Sequence, residues 1–208
     1  MLTELLTRYP CLCECKEDIL KAEKALIDCY EKGGKVLICG NGGSCADSDH
    51  IVGELMKGFL KKRPLDDSKK AEMKSKCALV DDELLNKLQG GLPAVAIPSI
   101  TALNSAFCND VDPELVYAQP VMALAKENDV LIGISTSGNS KNVFGAVKVA
   151  KALGIKVIGL TGKTGGKLKQ NADICICVPE TETFKIQELH LPIYHYICAS
   201  VEEHFFKS

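Results

Sequence analysis

The chain has 208 residues, enough for one domain with a sizeable core and too few to require a second. Its 25 basic and 27 acidic side chains nearly cancel, which leaves no electrostatic footprint for nucleic acid or for an anionic membrane. The opening residues Met1-Leu2-Thr3-Glu4 carry no basic segment ahead of an apolar stretch, and no uncharged apolar run is long enough to span a bilayer. The expectation is a cytoplasmic protein with no membrane and no nucleic-acid partner. Eleven cysteines cannot all pair, and several lie in apolar runs such as Val36-Leu37-Ile38-Cys39 and Ile174-Cys175-Ile176-Cys177. Cys11, Cys13 and Cys15 lack the nearby second half of Cys or His that a zinc site needs, so reduced, helix-associated thiols account for them.

In chain order, residues 1–33 are rich in Leu, Ala, Glu and Lys with apolar positions at helical spacing, and Gly33-Gly34 supplies a stop. One or two leading helices follow from this. Five short apolar runs come next, at 35–39, 93–98, 129–134, 155–160 and 173–178, each continuous rather than alternating. Continuous hydrophobicity marks parallel strands covered on both faces. Helical patterns at 44–60 and 141–153 separate several of them, and a last helix is expected over 184–206. The alternation predicts an α/β domain, a three-layer αβα sandwich spanning 1–208. Residues 57–92 break the rhythm: long and heavily charged, they read as an insertion, a solvated loop with a short helix near 81–89.

The strand at 129–134 ends directly in Ser135-Thr136-Ser137-Gly138-Asn139-Ser140, ahead of a helix starting at Lys141. Ligands bind at such places in parallel sheets, because the helix start offers unpaired N–H groups and positive dipole. Gly138 allows close backbone approach, and the hydroxyls of Ser135, Thr136, Ser137 and Ser140 add donors, a set suited to a phosphate monoester. No Walker lysine accompanies the loop, and its single glycine excludes a dinucleotide fingerprint. The first strand has the same construction through Gly40-Asn41-Gly42-Gly43-Ser44, which makes Asn41, Gly42, Gly43 and Ser44 candidates for the same ligand.

On the helix that follows, His50 and Glu54 stand at i, i+4 and share a face, a spacing that serves a metal, an acid/base pair or a plain surface contact. Near the C-terminus Gln187, His190 and His195 lie in an apolar helical stretch, with His190 read as a core histidine and His204 as a surface one.

Taken together, Gly40-Asn41-Gly42-Gly43-Ser44, Asp47-x-x-His50-x-x-x-Glu54, the loop 135–140, Leu160-Thr161-Gly162 and Ile186-Gln187-Glu188-x-His190 ending at His195 resemble the bacterial phosphoheptose isomerases of the sugar isomerase (SIS) domain superfamily. The likeness covers nearly the whole chain except 57–92. It implies a five-stranded parallel sheet flanked by helices and a homotetramer with active sites at subunit interfaces. It also implies that Ser135, Thr136, Ser137 and Ser140 hold a sugar phosphate and that Asn41 touches the substrate. Glu54 is then the acid/base on carbon and His195 its partner. Members with a metal use the positions of His50, Glu54, Gln187 and His195 for zinc. The implied activity is aldose–ketose isomerisation of a phosphorylated sugar such as sedoheptulose 7-phosphate, through an enediolate. One departure bears on the substrate: Ile100 stands where many members carry Asp, which removes a contact to sugar hydroxyls. The alternative is a non-catalytic SIS module that binds a phosphosugar or a protein partner.

Overall fold

The computed structural model describes residues 1–206. Helix α1 (Leu2–Arg8) gives way at Tyr9-Pro10 to a 3-10 turn over Pro10–Cys15 that carries the three closely spaced cysteines, and α2 (Lys16–Glu31) follows. Then come β1 (Val36–Gly40) and α3 (Gly43–Met56); α4 (Asp67–Lys76) and α5 (Asp82–Lys87) lie between α3 and β2 (Ala94–Ala96). The remainder is α6 (Thr101–Asp110), α7 (Ala118–Leu124), β3 (Val130–Ile134), α8 (Lys141–Ala152), β4 (Lys156–Thr161), α9 (Gly166–Asn171), β5 (Ile174–Cys177) and α10 (Thr183–Phe205).

The five strands form one parallel sheet in the order β2-β1-β3-β4-β5, as the continuous apolar runs predict. Alternate residues of β1 feed opposite cores. Val36 and Ile38 point into a cluster with α2, α3 and α10, whereas Leu37 and Cys39 point into one with α7 and α8. All four are fully buried, and each large aliphatic side chain so placed contributes roughly 1.5–3 kcal/mol. That double burial explains why the strands show no polar face.

The segment 57–92 differs in one respect from the sequence expectation: α4 stands where a loop is expected. Its residues show no apolar stripe and none is buried, so hydrophobic periodicity cannot reveal it. Asp66 starts the helix instead, its side chain accepting the N–H of Lys69. The root of the segment is tied down. Pro64 and Gln89 form an antiparallel bridge, and the buried Arg63 donates from Nε to Glu202 Oε1 at 2.8 Å.

Candidate active site

Strands β1 and β3 are neighbours that end level, Gly40 opposite Ile134. From there α3 packs on one face of the sheet and α8 on the other, so the chain leaves the two strands in opposite directions and opens a crevice at their carboxyl ends. A cavity of about 290 Å³ fills it. Of the residues the sequence nominates for substrate, Asn41, Gly42, Gly43, Ser44, Ser135, Thr136, Ser140 and Gln187 line this cavity. Ser137 does not; it sits exposed at the rim, where its Oγ accepts the N–H of Asn139 at 3.1 Å.

The loop is held from within. Ser135 Oγ lies 2.8 Å from Ser140 Oγ and 3.5 Å from Ser137 Oγ, and Thr136 O accepts the N–H of Gly162 at 3.0 Å. Gly138 is required twice over: its φ is +67°, and a Cβ there would collide with the Gly165 carbonyl. Neither Gly42 at the start of α3 nor Ser140 at the start of α8 caps its helix through a side chain. Two sets of helix-start N–H groups therefore face one cavity whose lining carries no charged side chain, an arrangement that favours an anion. Gln187 reaches the same place from α10: a Cβ on Gly43 would lie 2.5 Å from its Nε2, so only glycine leaves room for that amide.

Three contributors escaped the sequence. Thr183, at the start of α10, lines the cavity. Tyr117 Oη donates to Asn41 Oδ1 at 2.9 Å, and Asn142 exchanges two 2.9 Å bonds with the Asn41 amide. Asn41 is thereby fixed in orientation by residues far along the chain that carry no motif of their own.

Glu54, His50 and His195 form a second cluster. His50 Nε2 is 3.2 Å from Glu54 Oε1, and the His50 and His195 rings meet edge to face at 4.9 Å. Tyr194 Oη contacts His50 Nδ1 at 3.0 Å and donates to Asp47 Oδ1 at 3.2 Å. That hydroxyl therefore sits between Asp47 and His50, and His50 between Tyr194 and Glu54. Phe59 lies over His195 at 5.6 Å and shields it. Desolvation lowers the His195 pKa, helped by His50 and opposed by Glu54, so its ring is neutral at pH 7. Glu54 Oε2 and His195 Nε2 are buried without a hydrogen-bond partner.

The two clusters do not coincide within one copy. Glu54 is eleven residues beyond Gly43 on α3, about 16 Å of helical rise, and His195 is eight beyond Gln187 on α10, about 12 Å. His195 instead lines a separate cavity beside Leu5, Phe59 and Tyr196. The carboxylate and imidazole chemistry of His50, Glu54 and His195, and the two bare atoms, suit zinc. The geometry of a single copy does not close such a site: Gln187 is at the other cavity, and among the described residues no three His, Cys, Asp or Glu side chains are arranged to hold an ion.

Comparison with known proteins agrees with the arrangement. SIS domain family models match residues 102–197 and 10–90. Phosphoheptose isomerase from Aneurinibacillus thermoaerophilus is 39% identical over 93% of this chain and 89% of its own, and that from Campylobacter jejuni 40% identical over 91% and 88%. The solved structure of a phosphoheptose isomerase from Francisella tularensis superposes with a TM-score of 0.74 at 34% identity, covering 90% of this chain and 86% of the other. With the sheet order, the paired loops and the ordered motifs of α3 and α10, these likenesses place the chain in the phosphoheptose isomerase family of SIS-domain proteins.

Proposed function

We propose that the chain is an aldose–ketose isomerase of a phosphorylated sugar, of the sedoheptulose 7-phosphate class, working in the cytoplasm as a homotetramer. The observation that carries this reading is the hydroxyl-lined, uncharged cavity at the open starts of α3 and α8, which fits a phosphate monoester. A phosphate seated there lies too far from Glu54 of the same copy for a seven-carbon sugar to bridge. Glu54 and His195 of a neighbouring copy are the groups that complete the site.

Isomerisation moves one proton between adjacent carbons and another between the oxygens they bear. Glu54, 13% exposed at its side chain, takes the proton from the carbon beside the carbonyl and returns it to the neighbour. His195, neutral at pH 7, accepts and donates at oxygen as the enediolate forms and collapses. His50, 3.2 Å from the Glu54 carboxylate, and the Tyr194 hydroxyl behind it position that carboxylate.

Zinc, held by His50, Glu54, Gln187 and His195 drawn from more than one copy, is the metal this donor set would take. It would supply positive charge for the developing oxyanion. Stoichiometric zinc in the purified assembly, lost in His50→Ala, is the expected result; a metal-free protein of full activity overturns the zinc assignment.

One observation favours a non-catalytic module: Ile100, partly buried at the start of α6, offers no polar group to sugar hydroxyls. Solvent deuterium exchange separates the two readings. Wild type should incorporate deuterium at C1 or C2 of a ketose phosphate, and Glu54→Gln should lose about 10²–10⁴-fold in rate. No exchange by wild type with any C5 to C7 ketose phosphate makes the chain a binding module; full exchange by Glu54→Gln moves the base elsewhere.

A further inference from the structure

Among the described residues one pair of cysteines is in mutual contact: Cys175 and Cys177, whose sulfurs lie 3.8 Å apart on β5. They stand two positions apart on a strand and so point to the same side. β5 is the last strand of the sheet, paired only with β4, and both thiols are partly exposed. The register partner of Cys175 is Gly159, and a Cβ at that glycine would come within 3.0 Å of the Cys175 sulfur. The glycine makes the room in which the sulfur turns toward its neighbour.

We infer that Cys175 and Cys177 form a peroxide-sensitive dithiol that closes reversibly to a disulfide.

The two thiols divide the labour. Hydrogen bonding to Cys175 holds the Cys177 thiol down at about 7 against the cost of burial, with further help from Lys169, while Cys175 is pushed up and stays protonated. Cys177 is therefore the nucleophile. Its thiolate attacks one oxygen of hydrogen peroxide; an S–O bond forms, the O–O bond breaks, and hydroxide leaves. The sulfur has lost two electrons to the peroxide and is now a sulfenic acid. The Cys175 sulfur then attacks it, the S–S bond forms as the S–O bond breaks, and the hydroxyl departs with the Cys175 proton as water.

Two residues of strand span about 6.6 Å between Cα atoms, near the upper end of the roughly 4.4–6.8 Å that disulfides tolerate, and their parallel Cβ atoms stand farther apart than the roughly 3.5–4.5 Å of a disulfide, so the edge strand must buckle for the bridge to close. A bridge here is strained and easily reduced, which suits a reversible device. The other cysteines are unsuited. Cys15, Cys29, Cys39 and Cys198 are buried and Cys45 partly so, and burial raises all five thiols. Cys11, Cys13, Cys77 and Cys108 are exposed without a hydrogen-bonded thiol partner.

Brief peroxide treatment of the full chain, alkylation and trypsin digestion test this. Residues 170–185 are released as one peptide holding both cysteines and no other. The expected peptide is unalkylated, about 2 Da lighter than the dithiol, and restored by dithiothreitol. In Cys175→Ser the reaction should stop at a dimedone-reactive Cys177, and in Cys177→Ser oxidation of the peptide should slow about tenfold or more. A doubly alkylated 170–185 peptide at doses that oxidise Cys11 or Cys108 overturns the inference, as does a bridge from Cys177 to Cys15.

Discussion

Glu54 has one carboxylate oxygen paired with His50 and the other buried and bare, while His195 keeps an unpartnered nitrogen a ring's width away. Bare atoms of this kind are costly in a core and useful in a site. His190 shows the contrast. It is fully buried on α10 with neither ring nitrogen hydrogen bonded, and desolvation lowers its pKa to about 4, opposed only by the Thr161 backbone. A histidine in the unfolded chain titrates near ~6.5. As pH falls from about 6.5 toward 4, the unfolded chain takes up a proton that the folded chain refuses, so folding stability is lost through that window. The slope from this group is about 1.4 kcal/mol per pH unit. Denaturant melts at pH 7, 6, 5 and 4 should show the decline, and His190→Leu should flatten it; an equal decline in the variant assigns the acid sensitivity to other groups. The apolar sequence around His190 already marks it as core. Tyr117 and Asn142 were not legible, because their role exists only once residues 76 and 101 positions apart fold against Asn41.

Among the elements, the strands were legible because burial on both faces forces a continuous apolar run, and the loops after β1 and β3 because hydroxyls and glycines gather at those two strand ends. Helix α4 was not, since none of its residues is buried. The junction between α3 and α10 was equally hidden, and it rests on a buried ion pair. Arg63 donates to Glu202 and, from its two terminal nitrogens, to the carbonyls of Leu55 at 2.6 Å and Glu54 at 3.0 Å. Glu202 in turn accepts the N–H groups of Phe59, Leu60 and Lys61. The end of α3 that carries Glu54 is thus fastened to α10, which carries His195. Arg63→Met leaves Glu202 buried without its partner, and a loss of about 3–5 kcal/mol in folding stability is expected. The double variant Arg63→Met/Glu202→Gln should recover part of it, because no uncompensated charge remains. Chemical denaturation of wild type, Arg63→Met, Glu202→Gln and the double variant checks this; additive losses in the double variant rule out the coupling.

At the scale of the whole molecule, the two clusters line separate cavities of one copy, in keeping with the interface sites that the family resemblance implies. Motifs adjacent in the chain, from Gly43 to Glu54, are carried about 16 Å apart by a rigid helix. The same holds for Gln187 and His195 on α10. The proposed homotetramer would resolve the distance by setting the anion cavity of one copy against the acid/base cluster of another. Subunit mixing tests this directly. Ser135→Ala with Ser140→Ala disables the cavity and leaves Glu54 and His195 intact, while Glu54→Gln does the reverse. Each homogeneous variant should be nearly inactive. Unfolded together, refolded as mixed assemblies and assayed, the two should regain up to roughly a quarter of wild-type activity, because a site formed between copies is then sometimes built from two undamaged halves. If refolded mixtures stay as inactive as their parents while size measurements show mixed oligomers, each copy houses a complete site, and α3 must bend or the sugar must bind elsewhere than the cavity between β1 and β3.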